Sequence, residues 1–337
     1  MKKFLLWLSL VLICPIILLL GLFLYTDPFR TLHSFNPSDI DATNREYLST
    51  ELFLYNKDKY PYNSFVFCNS EGCGINTYTW KMFMNDTTAQ PFLFQSWSES
   101  LTGIELKIQY LTQNNIPIDN ALVLLDIPGS FAKEQLPTNV MSIKHPVISG
   151  QSKWIYNTIL FYNYCQKPSQ WINSIKSIGD KYPLQTDSIT NDWHNDNSIT
   201  YATLIPMDSL RECSEMTRRT FFEQIENKSE DDIVMSPILL NETFTKQLER
   251  IKALLDNNST DYHIIITPAY CYTSTYINEE DLRVLETIFG KDRVHDFTRH
   301  YITRDYNYFT DPNHFGLRAG DIMLEEIYRD SISASPQ

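Results

Sequence analysis

Glycine is scarce, at 10 of 337 residues, and none of it is gathered into a loop able to cradle phosphate with backbone N–H groups, so no nucleotide cofactor is expected. Basic residues are also in short supply. Lys and Arg number 28 against 41 Asp and Glu, a net charge of −13, and a chain that lacks a basic surface is no partner for nucleic acid. Of six cysteines, Cys14 lies in an N-terminal apolar run. That leaves Cys68, Cys73, Cys165, Cys213 and Cys271, an odd number with no Cys-x-x-Cys pair and no His at zinc-ligand spacing. No metal framework follows, and buried free thiols are the reading for most of them. Internal repeats and low-complexity tracts are missing as well. Asn-x-Ser/Thr triplets occur at Asn85, Asn227, Asn241 and Asn258, but they arise readily by chance in an Asn-rich chain and carry no weight.

One long hydrophobic run is present. Residues 4–25 carry no charge and are mostly Leu, Ile, Phe and Val, long enough to cross a hydrocarbon core of about 30 Å as a helix. Lys2 and Lys3 precede the run and Asp27 follows it, which predicts a single-pass anchor with a cytoplasmic N-terminus and the remainder outside the cytoplasm, periplasmic or extracellular. The rival is a cleaved signal peptide, disfavoured by the length of the run and by Leu24-Tyr25-Thr26, which offers no small-x-small cleavage site. Pro15 is tolerable in a membrane helix. The expected organisation is an anchor at 1–26, a connecting segment at 27–61, an α/β domain at 62–330 with an insertion at about 127–260, and a tail at 331–337. With 43% hydrophobic and 20% charged residues, the chain can build a sizeable core.

Short apolar or β-branched runs at Ser64–Cys68, Pro91–Gln95, 121–126 and 263–268 read as buried parallel strands, with a weaker fifth at 293–297. Helix-period stretches lie between them, notably 104–111. Residues 278–290 read as another helix: Asn278 caps it, Glu279, Glu280 and Asp281 suit its positive end, and Gly290 stops it. This alternation predicts an α/β fold, a three-layer α/β/α flavodoxin-like sandwich around a parallel five-stranded sheet. About 130 residues separate the third and fourth strands, too many for a plain connection. Within that insertion 152–164, 170–182, 217–226 and 243–255 look helical and 185–198 loop-like.

In such a sheet, ligands sit beyond the carboxyl ends of the strands. The first strand runs into Cys68-Asn69-Ser70-Glu71-Gly72, which would expose Ser70 at that edge. A serine needs a base, and of seven histidines His314 stands out, in Asp311-Pro312-Asn313-His314 just before an amphipathic closing helix. There Asp311 is placed to orient the imidazole as a triad acid does. Taken singly, Ser70 reads as a helix cap and Asp311-Pro312-Asn313-His314 as a surface turn; together at these two places they point to a nucleophile and its relay. Asp126, at a strand end, reads equally as a functional acid or a cap. Asp296 is a second candidate orienting acid that more naturally ends the fifth strand. His145 reads as a satisfied structural imidazole rather than a channel residue, and most tryptophans as core rather than sugar-stacking platforms.

On these two blocks the chain resembles the SGNH (GDSL-like) hydrolases and acyltransferases. The resemblance implies Ser70 as nucleophile, His314 as general base and Asp311 as its orienting acid. Within the family the chain is most similar to membrane-anchored relatives that modify cell-envelope glycans beside polytopic O-acyltransferases. This implies an extracytoplasmic serine esterase or O-acyltransferase with an acylated glycan as substrate and a polytopic membrane acyltransferase as partner. The chain departs from the pattern where Cys68 replaces a Gly and where no Asn follows the third strand. The backbone amides of Ser70 and Ser98 are the implied oxyanion donors, Ser98 standing in for a missing Gly. A catalytically inactive relative that holds glycan or assists a membrane acyltransferase is the alternative.

Overall fold

The computed structural model describes residues 2–36, 44–131, 140, 143–176, 178, 186–193, 235–271, 276–311 and 313–333. Helix α1 (Lys2–Thr26) comprises 25 residues with Pro15 inside it; the side chains of residues 5–10 lie outside the description. Among the described residues no helix is long and apolar enough to cross a membrane. After α1 come α2 (Arg45–Asn56), β1 (Ser64–Cys68), α3 (Thr77–Met84), β2 (Pro91–Gln95), α4 (Leu101–Gln113) and β3 (Asn120–Leu125). Helices α5 (Pro146–Ser149), α6 (Lys153–Cys165), α7 (Pro168–Lys176) and α8 (Glu242–Asn257) then lead to β4 (Asp261–Ile266). The chain closes with α9 (Glu279–Phe289), β5 (Val294–Asp296), a short hairpin of β6 (Phe309–Asp311) and β7 (His314–Phe315), and α10 (Leu317–Ser333).

Five strands form one all-parallel sheet in the order β2-β1-β3-β4-β5, the order of doubly wound, flavodoxin-like sheets. The strands are near-continuous apolar runs because both faces are covered. On one face Phe65, Phe67, Phe92, Phe94, Val123 and Ile264 pack against Phe53 of α2, Ile104 and Ile108 of α4, Ile251 of α8 and Leu285 of α9. On the other, Val66, Leu93, Leu122, Leu124 and Ile265 meet Trp80 of α3 and Met323 and Leu324 of α10. The fold is α/β with helices on both sides of the sheet.

The expected strand bounds hold at β1 and β2, while β3 and β4 begin one and two residues earlier than expected. Asn278 caps α9 by accepting from the Glu280 N–H at 2.8 Å, and Gly290, at φ 94°, stops it. The connecting segment at 27–61 contains α2, which its composition did not announce; Asn44 caps this helix from the Tyr47 N–H at 3.2 Å, and Leu48, Leu52 and Phe53 bury its inner face. The helix expected at 170–182 is α7, two residues earlier at its start and described to Lys176. The helix expected at 217–226 lies outside the described residues. Part of the loop expected at 185–198 is described, and it covers the outer edge of β2: Thr190 accepts from the Leu93 N–H at 2.9 Å and Asn191 Nδ2 donates to the Leu93 carbonyl at 2.7 Å. Those pairings satisfy backbone groups that an edge strand would otherwise leave open.

A buried ion network ties α2, α4 and the turn after β2. Lys107 on α4 is fully buried and pairs with Glu46 of α2 at 2.9 Å and with Glu99, which also meets Lys144. Burial opposes the ammonium charge, but Glu46 and Glu99 outweigh it and raise the Lys107 pKa. Glu99 is held low: burial raises it, and Lys107 and Lys144 more than reverse the effect. Removing the central cation strands the Glu46 carboxylate in the core and leaves Glu99 with Lys144 alone. Lys107→Met is therefore expected to lower unfolding free energy by about 3–5 kcal/mol, read by chemical denaturation; a loss within that of an exposed ion pair would overturn this account.

Candidate active site

Beyond Cys68 the chain leaves the sheet, and Asn69 bends it by accepting from the Glu71 N–H at 2.9 Å. Ser70 thereby opens a single 3-10 turn, Ser70–Gly74, at the carboxyl edge of the sheet. The second half of the site arrives from the C-terminal hairpin, where Phe309 pairs with Phe315 and Asp311 with His314. Two glycines let these pieces meet. A Cβ on Gly74 would collide with the Phe315 ring, and one on Gly320 of α10 would sit inside the Gly74 carbonyl oxygen. Only bare backbone permits this approach.

The convergence brings Ser70 Oγ to 2.8 Å from His314 Nε2. His314 Nδ1 is 2.7 Å from Asp311 Oδ2. The other carboxylate oxygen of Asp311 accepts from the N–H groups of Asn313, at 2.8 Å, and His314, at 3.1 Å. A carboxylate only accepts, so the imidazole carries its proton on Nδ1 and leaves Nε2 free to accept from the serine hydroxyl. Asp311 is 8% exposed while Ser70 and His314 are partly open to solvent. The relay is thus dry at its rear and accessible at its front. All three residues singled out in the sequence stand in one chain of hydrogen bonds.

Ser98 lies in the turn after β2, in a left-handed conformation at φ 53°. The register that pairs Cys68 with Gln95 puts it three residues beyond β2, on the same sheet edge as Ser70, two residues beyond β1. Its side chain is exposed, and Glu99, next in the chain, is clamped by Lys107 and Lys144.

Asp126 proves to be a positioning acid and a cap at once. Its Oδ1 accepts from the Gly129 N–H at 2.9 Å, and its Oδ2 accepts from Asn69 Nδ2 at 2.7 Å. It therefore holds the residue that bends the chain into Ser70. Burial raises its pKa, against the hydrogen bonds from Gly129 and Asn69 and the nearby imidazole of His314. Asp296 takes no part in the relay; its carboxylate accepts from the N–H and hydroxyl of Thr298 at 2.8 and 2.6 Å and closes β5. His145 is structural: it is 3% exposed, its Nδ1 accepts from the Val147 N–H at 3.2 Å, and its Nε2 lies 3.1 Å from Glu51. Trp80 and Trp193 are core, each with its indole N–H donated, to Tyr328 at 3.0 Å and Gln95 at 3.2 Å.

Cys68 fits where a glycine was expected because Gly72, directly above it, has no side chain; a Cβ there would overlap the Cys68 sulfur. Its thiol is fully buried and burial raises its pKa, the surroundings of an inert structural cysteine. Cys68, Cys73, Cys165 and Cys271 form no disulfide, and Cys213 lies outside the described residues. No group of three or more His, Cys, Asp or Glu side chains able to hold a metal occurs among the described residues.

Sequence reasoning passed over Glu71. It follows Ser70, is 7% exposed, and its Oε2 lacks a hydrogen-bond partner. Burial foremost, then the charge of Asp126, pushes its pKa well above the ordinary carboxylate value, despite a hydrogen bond from Thr267. An acid so placed stays protonated in the folded protein at pH values where the unfolded chain ionises it. The folded state then binds more protons, and stability falls as pH rises above about 4.5. Glu71→Gln should raise the melting temperature over the parent chain by a margin that is small near pH 4 and widens toward pH 8; a margin independent of pH would show that the carboxyl is ionised in place. No family model matches this chain, and neither does any curated protein, so the reading of the site rests on the geometry of Ser70, His314 and Asp311.

Proposed function

We propose that the protein is an extracytoplasmic serine esterase or O-acyltransferase of SGNH type, acting on acyl esters of cell-envelope or extracellular glycans. The observation that carries this reading is the relay of Ser70 Oγ to His314 Nε2 at 2.8 Å and His314 Nδ1 to Asp311 at 2.7 Å. In the reaction Ser70 Oγ bonds to the ester carbonyl carbon as its proton passes to Nε2. The resulting imidazolium is stabilised by Asp311. Collapse breaks the bond to the leaving alcohol, which takes the proton from Nε2, and leaves the acyl group on Ser70. Water or a glycan hydroxyl then repeats the sequence in reverse, with His314 as its base.

The tetrahedral oxygen is assigned to the backbone N–H groups of Ser70 and Ser98. Each such donor is worth roughly 10²–10³ in rate, which explains why the turn holding Ser98 is braced by a buried ion network. The apolar run at 4–25 serves in this proposal as a membrane anchor with its N-terminus in the cytoplasm, which would put the site beside its glycan and beside a polytopic acyltransferase partner. Asp126, a carboxylate where the family resemblance called for an Asn donor, favours a second reading: a binding or assembly protein that keeps the cleft without catalysis.

A fluorophosphonate probe on the purified protein distinguishes the two. Labelling that disappears in Ser70→Ala is expected, and in Asp311→Asn a fall in turnover on the order of 10⁴, because an amide orients the wrong imidazole tautomer. Absence of Ser70-dependent labelling, with Ser70→Ala matching the parent in cells, would replace the enzyme with the binding protein.

A further inference from the structure

The end of α1 is not a loose tether. Phe23 is 2% exposed and its ring meets Phe161 of α6 at 5.3 Å and Tyr164 at 5.5 Å. Just past the helix, the buried carboxylate of Asp27 accepts from the N–H groups of Thr31, Leu32 and His33, at 2.9, 3.1 and 3.2 Å. Phe29 joins Tyr156 and Leu160 in the same cluster. Helix α1 is thus docked against α6 and α7 through a core of its own, and the orientation of these three helices is set.

The outward faces of α6 and α7 are unusually apolar for a solvent surface. Trp154 is 85% exposed, Tyr162 55%, Ile172 56% and Ile175 53%. A groove of about 430 Å³ between α1 and α6 is lined by Leu20, Leu24, Trp154 and Phe161, with Lys153 at its side. The charge of this region is opposite to that of the rest of the chain. Between Glu134 and Asp180 there is no acidic residue, and of the four lysines there Lys144 is taken up by Glu99 while Lys153, Lys167 and Lys176 are exposed, in a chain of net charge −13. Exposed Trp, Tyr and Ile flanked by lysines, with no acid on either helix and Glu51 of α2 near Lys153 alone, form the pattern of an element lying in the boundary between headgroups and acyl chains. Anionic headgroups attract such lysines and repel the remaining surface.

We propose that α6 and α7 form a second membrane contact, a helical hairpin that lies in the surface of a bilayer containing anionic lipid and seats an acyl chain in the groove beside α1. The inference rests on the reading of α1 as an anchor and goes beyond it: the domain is held flat against the bilayer at a fixed height instead of swinging from a single helix. The sheet edge that carries Ser70 would then face its substrate at a set distance from the lipid.

The full chain in nanodiscs of acyl-brominated phosphatidylcholine and phosphatidylglycerol tests this, because bromine quenches tryptophan only on contact. Trp154→Phe is expected to remove part of the quenchable emission, and Trp7→Phe, within the apolar run, another part. The exposure of Trp154 makes its replacement harmless to folding. Lys153→Glu, Lys167→Glu and Lys176→Glu together should reduce the Trp154 component to the level found in discs of phosphatidylcholine alone. If Trp7→Phe removes quenching and Trp154→Phe removes none, the anchor stands and the hairpin contact is overturned. If neither replacement removes any quenching, the anchor and the hairpin are overturned together. A Trp154 whose surroundings change only when a polytopic protein is added marks a protein interface and also overturns the proposal.

Discussion

Everything at the candidate site depends on a contact between two stretches of bare backbone. The turn after β1 and the first part of α10 approach so closely that a single methyl group on Gly74 or Gly320 would have to occupy space already filled by Phe315 or by a carbonyl oxygen. This contact seats the β6–β7 hairpin over the turn that carries Ser70, and the hairpin delivers His314 to Ser70 across 244 residues of chain. In a chain with few glycines, their use where two elements must touch indicates that the approach is required. Loop-closure entropy for so long a separation is modest per added residue, but the contact still has to be held by packing, and the Phe315 and Ala319 side chains inside the second core supply it.

Around this contact the acids are arranged by role and burial. Asp311 is braced by two backbone N–H groups and faces the imidazole, so its charge is useful there. Asp126 and Glu71 lie nearby in lower-dielectric surroundings that raise their pKa values. Asp126 is spent on Asn69 and Gly129, where it shapes the backbone that presents Ser70. Several carboxyls in one small region cannot all ionise freely, and the structure resolves this by giving Asp311 the imidazole and two N–H donors while Glu71 Oε2 is left without a partner.

The bracing extends outward to the second turn of the sheet edge. Lys107 joins α2, α4 and Glu99 in one buried network, so the segment that carries Ser98 is fixed by charges set in three different elements. A buried ionic group is weak evidence for stability by itself, and its better-attested use is to specify one arrangement over others. Here the arrangement specified is the geometry of the loop on the same sheet edge as Ser70.

The sequence alone determined the layers and the relay candidates. Continuous apolar strands separated by helical periods dictate a parallel sheet covered on both faces, and Ser70 stands at its functional edge because a parallel sheet exposes the carboxyl ends of its strands, whereas Asp311-x-x-His314 reaches that edge on the separate β6–β7 hairpin. Helix α2 was hidden because its inner face is set by Leu48, Leu52 and Phe53 packing on the sheet, a tertiary effect that overrides a mixed local composition. The dual use of Asp126 and the raised pKa of Glu71 were equally invisible: both follow from which groups lie within a few ångströms and how much water is excluded, and neither can be read from neighbours in the chain. Only the folded structure decided whether one hydroxyl and one imidazole would meet, since that distance is set by the packing of two glycines and a phenylalanine, residues with no chemistry of their own.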